Sequence, residues 1–183
     1  MRKPNLNEKK DYYGKAKSEM RLSERIVTAI PGFHGYKEKE LRRDSDKLLR
    51  NHLYLKLSQA KNNMKEVFQK LSDRRMFDVL SDMDRLMAKF DRVTEKVNHA
   101  SYGYAGFFDV VKVGEDDLDN MIAFDNQLVD EVDKIVEEVN AFKAEIGKQA
   151  FDKAKQMTQS LTETVNAFEE AFDKRGEVIL GVS

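Results

Sequence analysis

The chain has no cysteine and no tryptophan, and only two prolines, Pro4 and Pro31. Without cysteine there are no disulfides, no thiolate zinc site and no thiol nucleophile. The same absence fits a reducing compartment, so a cytoplasmic location is expected. From residue 32 onward nothing of proline's kind interrupts a helix. No stretch reaches the roughly 18 apolar residues that a spanning helix needs, and the N-terminus lacks an apolar run of signal-peptide length. No phosphate loop of the G-x-x-x-x-G-K-[ST] kind and no G-x-G-x-x-G is present. The short Gly103-Tyr104-Ala105-Gly106 follows no strand and opens no helix.

Histidine is scarce as well, with His34, His52 and His99 alone. A di-iron bundle needs Glu-x-x-His pairs, but Pro31, Leu49 and Lys96 stand three residues before these histidines. No metal or other cofactor is therefore expected. Glu95 and His99 lie four apart on one helix face, the spacing of an ordinary surface contact. The acidic run Glu115-Asp116-Asp117 lacks the ligand and glycine spacing of a calcium loop. Carboxylates at that place are explained by the positive end of a helix beginning there.

What the chain has in quantity is charge and helical periodicity. Of its 183 residues 36% are charged and 40% hydrophobic, the balance of helices with one apolar stripe and a wide solvated face. The formal net charge is −1, but it is unevenly placed. Residues 1–56 carry 15 Lys/Arg against 8 Asp/Glu, and residues 57–183 carry 17 against 25. Halves of opposite sign can attract each other within one chain or between copies.

The periodicity predicts an all-α fold of three or four long amphipathic helices, a helical bundle with coiled-coil character in its C-terminal half. Residues 1–18 read as a flexible basic arm and 19–183 as one helical domain. A short amphipathic helix over 19–30 ends at Pro31-Gly32. Long helices are expected at about 37–71 and 74–99, with a turn near 71–75 and Ser72-Asp73 offering an N-cap. A third is expected at 115–146, where Leu118, Met121, Ile122, Leu128, Val129, Val132, Ile135, Val136, Val139, Phe142 and Ile146 approach the 3.5 period of a coiled-coil seam. A fourth is expected at 149–174, with Gly147 as the point where the chain bends, turns or runs straight on. The apolar tail 176–183 is short enough to dock on the body. Residues 100–114 (ASYGYAGFFDVVKVG) alone lack helical logic.

No catalytic residue emerges, and no small-molecule substrate. Tyr102, Tyr104, Phe107 and Phe108 of the glycine-aromatic stretch are the candidate interaction residues, being large anchors of the kind found at binding hot spots. The competing reading makes them packing at one end of the bundle. Lys9, Lys10, Lys15, Lys17, Arg21 and Arg25 surround the apolar face of Leu22, Ile26, Val27 and Ile30, a pattern that could touch an anionic membrane surface or pack back on the bundle. The basic segment Lys37, Lys39, Arg42, Arg43, Lys47, Arg50 is interleaved with Glu38, Glu40, Asp44 and Asp46, which argues against nucleic-acid binding.

Gly35-Tyr36-Lys37-Glu38-Lys39-Glu40-Leu41-Arg42-Arg43 with Asp46-Lys47-Leu48-Leu49-Arg50, and Ala100-Ser101-Tyr102-Gly103-Tyr104-Ala105-Gly106-Phe107-Phe108-Asp109 running into Val111-Lys112-Val113, resemble an uncharacterised family of helical prokaryotic proteins. The resemblance spans roughly residues 20–140. It implies a helical fold and carries no activity with it. The expectation that follows is a non-enzymatic scaffold or adaptor with a protein partner or self-association. Its apolar contact would be the 118–146 seam and its docking element the 100–113 loop. The alternative is a peripheral membrane protein using the basic N-terminal region.

Overall fold

A computed structural model describes residues 24–36, 41–100 and 115–180, with side chains in the last stretch over 118–175. The fold is all-α. Residues 24–29 are helical (α1, described from 24 onward) and precede α2 (Arg42–Asp73), α3 (Phe77–His99), α4 (Glu115–Gly147) and α5 (Ala154–Leu180), with a 3-10 turn at Phe151–Lys153 leading into α5. Residues 37–40, at the expected start of the first long helix, lie outside the described residues.

The apolar stripes decide which faces meet. Leu49, Leu53, Leu57, Ala60, Met64, Val67 and Leu71 of α2 are buried, a spacing of three and four that keeps one face inward. Leu55 falls off that stripe and stands in solvent. In α3 the stripe runs through Val79, Met83, Leu86, Phe90, Val93 and Val97, and Phe77 is left outside it. The expected seam of α4 is buried from Leu118 to Ile146 except at Val136, which is partly buried. It faces α2 and α5 of the same chain, so its buried side chains are taken up by contacts within the bundle.

α2 packs on α3 and α4, and α5 packs on α3 and α4. The four helices therefore form a ring in the order α2, α3, α5, α4. Their directions follow from the polar contacts between neighbours. Lys56 meets Asp133, Asn63 meets Asn140 at 3.2 Å, and Glu66 meets Lys143 at 2.8 Å. The partners stand 77 residues apart in sequence along the whole contact. A constant difference means that α2 and α4 are parallel; an antiparallel pair would keep a constant sum. Arg92 with Glu169 and Lys96 with Asp173 repeat the separation of 77 and make α3 and α5 parallel too. The molecule is thus two helical hairpins laid side by side in the same sense. Attraction between the basic and acidic parts of the chain is realised internally, in Arg25–Asp130 and Lys56–Asp133.

Both hairpin turns lie at one end of the ring and share a geometry. After α2, the Met76 amide donates to the Leu71 carbonyl and the Arg75 amide to Ser72. After α4, the Ala150 amide donates to Glu145 and the Gln149 amide to Ile146. This is the six-to-one and five-to-two pairing of a Schellman motif. Ser72 and Asp73 therefore finish α2 and do not cap α3, whose N-cap residue is Met76 with no side-chain cap bond. Gly147 ends α4 two residues before the left-handed position, and the chain turns there without using the glycine's freedom. The 176–180 part of the expected docking tail continues α5.

The left-handed positions are held by Arg75 (φ 58°) and Gln149 (φ 64°). For an L-residue that conformation costs roughly 1–2 kcal/mol, partly offset because glycine has more freedom to lose. Gln149→Gly is therefore expected to stabilise the protein by about 0.5–1 kcal/mol. Gly147→Ala, whose Cβ would meet nothing within 4 Å, should add about 0.5 kcal/mol through helix propensity. Thermal unfolding checks both, and a lower midpoint for Gln149→Gly would contradict the strain at that position.

Candidate functional site

At the other end of the ring the α2 and α4 helices begin and α3 and α5 finish. Positions that the apolar period reserves for the core carry charge here. On α4 the stripe passes through Met121, Ile122, Asp125, Leu128 and Val129, all buried. On α5 it passes through Phe168, Phe172 and Arg175, and on α2 through Asp46, Leu49, Arg50 and Leu53. Asp125 and Arg175 have no solvent exposure at all.

Burial on this scale requires partners. Arg175 Nε donates to Asp125 Oδ1 at 2.7 Å, and Arg175 Nη1 lies 2.8 Å from Asp46 Oδ1. Arg50 Nε donates to the other Asp46 oxygen at 2.8 Å. The remaining Asp125 oxygen, Oδ2, accepts the Tyr36 hydroxyl at 2.5 Å. Two arginines thus face two aspartates across three helices, and one tyrosine completes the set. Burial pushes the Asp125 carboxyl above its ordinary pKa, against the pull of Arg175. Burial and the Asp125 charge together drive the Tyr36 phenol well up. Arg175 is held above its usual range by the two aspartates in spite of its burial. At neutral pH the phenol is protonated and donates.

Tyr36 reaches this socket on the segment that follows α1. Pro31-Gly32 ends the helix, and Gly32 and Gly35 adopt φ of 83° and 77°, which glycine alone takes freely. The segment is fastened at both backbone and side chain. Arg42 Nε donates to the Tyr36 carbonyl at 2.7 Å and Ser45 Oγ to the Gly35 carbonyl at 2.9 Å. Phe33 meets the Tyr36 ring edge-on at 5.5 Å. Ile26, Ile30 and Phe33 are buried, each 2% exposed or less.

Of the residues expected to touch an anionic surface, Lys9, Lys10, Lys15, Lys17 and Arg21 lie outside the described residues. Arg25 pairs with Asp130 at 2.6 Å. Ile26 and Ile30, half of the apolar face that a bilayer would take up, are buried in the bundle, and Val27 alone of the described part is exposed. Tyr102, Tyr104, Phe107 and Phe108 also lie outside the described residues. In the basic segment, Arg42 and Arg50 are buried in or beside the socket, which withdraws two cations from any phosphate contact.

The remaining candidates carry little chemistry. His99 Nε2 stands 3.2 Å from Glu95 on the surface. His52 is half-buried, and burial with the nearby Lys56 lowers its pKa, so it is neutral at neutral pH. Among the described residues no group of three or more His, Asp or Glu side chains could hold a metal, and no helix is long and apolar enough to cross a membrane. An open groove of about 550 Å3 separates α1 from α4, lined by Glu24, Arg25, Thr28, Ala29, Asn126, Val129, Asp130 and Asp133. Its charges are engaged in part by Arg25–Asp130 and Lys56–Asp133.

The sequence carried one signal for the socket that periodicity alone overlooks. On α4 and α5, Asp125 and Arg175 are charged residues that fall in phase with stripes made mostly of Leu, Val, Ile, Met and Phe. No protein-family model, no curated protein and no solved structure matches the chain.

Proposed function

We infer that the chain is a non-enzymatic helical scaffold or adaptor, working in the cytoplasm through protein–protein contacts made at one end of its bundle. The observation that carries this reading is the parallel register of the two hairpins. It places the start of α2, the end of α3, the start of α4 and the end of α5 together. The glycine-aromatic stretch therefore departs from and returns to the same end, and the segment bearing Tyr36 is fastened there too. The opposite end is closed by two tight turns. A four-helix body from one end of which the aromatic stretch departs and returns resembles the general arrangement in which a scaffold positions binding loops.

Tyr104 and Phe107 are the anchors of this reading. Affinity purification after cross-linking in the native cell would compare the intact chain with Tyr104→Ala/Phe107→Ala, once circular dichroism shows equal helicity. The reading expects a protein recovered with the intact chain and lost with the variant. Identical recovery with both would remove the aromatic stretch as the docking element.

A further inference from the structure

We propose that residues 24–36 form a releasable clasp, latched by Tyr36 in the Asp125–Arg175 socket, that opens as a unit while the four-helix ring stays folded. The proposal stands apart from the identity of any partner. Three features carry it.

The first is how little the segment does for itself. Past residue 29 it has no helix or strand of its own. Its order comes from being pinned to other elements: Arg25 to α4, the Gly35 and Tyr36 carbonyls to α2, and the Tyr36 hydroxyl to α4.

The second is that the socket is balanced without the clasp. Arg175 bridges Asp125 and Asp46, and Arg50 takes the second Asp46 oxygen. These four residues belong to α2, α4 and α5. Withdrawing Tyr36 takes a neutral hydroxyl from Asp125 and Arg175 and leaves these four charges paired with one another, while Arg42 gives up the Tyr36 carbonyl. What the departing ring uncovers is an ion-pair network that water can solvate. An apolar plug leaving an apolar hole would cost far more.

The third is that the core of the ring continues behind the segment. Met64, Phe90, Val139, Phe142 and Leu161 lie mid-helix or nearer the turns, away from Asp125, Asp130, Arg42 and Ser45 where the segment is pinned, and are 1% exposed or less. Opening the clasp gives up the burial of Ile26, Ile30 and Phe33 and leaves that middle intact. Partial openings of this kind are drawn from the least locally stabilised parts of a fold.

Amide hydrogen exchange of the full chain at low urea reads the opening directly. The reporters are the Ile30 amide, bonded to the Ile26 carbonyl at 2.9 Å, and the Phe33 amide, bonded to the Ile30 carbonyl at 3.1 Å. Both should exchange through an opening with weak urea dependence, while mid-helix amides such as Leu57 and Leu161 follow global unfolding. Tyr36→Phe keeps the ring and removes the hydrogen bond to a carboxylate, and should speed Ile30 and Phe33 by roughly ten- to hundred-fold. Leu161→Ala, which hollows the ring itself, should speed the mid-helix amides and leave the two reporters unchanged. Reporters that share the global urea dependence in the unmodified chain would overturn the proposal. So would equal acceleration of all amides by Tyr36→Phe.

Discussion

Replacing Arg175 by methionine is expected to cost roughly 3–5 kcal/mol of unfolding free energy at pH 7, the loss seen when one member of a buried charge network is removed. Methionine fills much of the volume, so the loss is electrostatic more than steric. Asp46 keeps Arg50 at 2.8 Å, while Asp125 keeps only the Tyr36 hydroxyl among the socket's donors. The pH dependence has a definite sign. The Asp125 carboxyl already sits above its ordinary pKa through burial, and without Arg175 it rises further. A folded-state pKa raised above the unfolded value means that the native state holds a proton the unfolded chain has released. Stability then falls as pH rises from the unfolded value through the folded one. The penalty of Arg175→Met should accordingly be smaller at pH 4 than at pH 7. Arg175→Met/Asp125→Asn removes the stranded charge, keeps an acceptor for Tyr36 and should recover at least half of the loss. Urea unfolding at the two pH values measures all of this. A loss under about 1 kcal/mol for the single variant, or a double variant no better than the single, would show that the socket does not behave as a coupled network.

Phe90→Ala should be comparably damaging for a different reason. The ring is fully buried in α3, and removing it leaves a cavity in a close-packed middle, which costs about 3–5 kcal/mol. Phe77, thirteen positions earlier on the same helix, is 72% exposed. Phe77→Ala should change stability by no more than about 0.5 kcal/mol. The pair separates packing from hydrophobicity, because both residues are phenylalanines in one helix. Equal urea midpoints for the two variants would contradict the stripe through Val79, Met83, Leu86, Phe90, Val93 and Val97.

Those stripes were the legible part of the sequence. Leu49 to Leu71, Leu118 to Ile146 and Leu161 to Phe172 keep their three-and-four spacing because burial of one helix face imposes it. The turn after α2 is expected near 71–75 because the domain has to fold back on itself, while the pattern alone leaves the chain free to run on. The same pattern left the turn after α4 open: Gly147 drew the eye, but the left-handed residue is Gln149, and backbone hydrogen bonds rather than composition make that turn. Phe77 counted as apolar by its side chain, and only its position before the first buried residue of α3 places it in solvent. The socket was hidden for another reason. A charged residue declares itself buried only through its partner, and Asp125 finds Arg175 fifty residues away on a different helix. Asp46 and Arg50, four apart, read equally well as a surface pair. The pairing of α2 with α4 and of α3 with α5 was invisible too, because it depends on which side of the first hairpin the second one settles.

The parallel sense of the hairpins has an electrostatic consequence. Each helix end carries a partial charge of about half an elementary unit, positive at the N-terminus and negative at the C-terminus. In a ring whose helices alternate in direction these charges alternate and largely cancel. Here the N-termini of α2 and α4 sit side by side at one end, opposite the C-termini of α3 and α5. Each end of the bundle is therefore polarised across its width, with a positive edge and a negative edge. Anything charged that approaches along the bundle axis meets a surface with a preferred rotational setting, before any side chain has made contact.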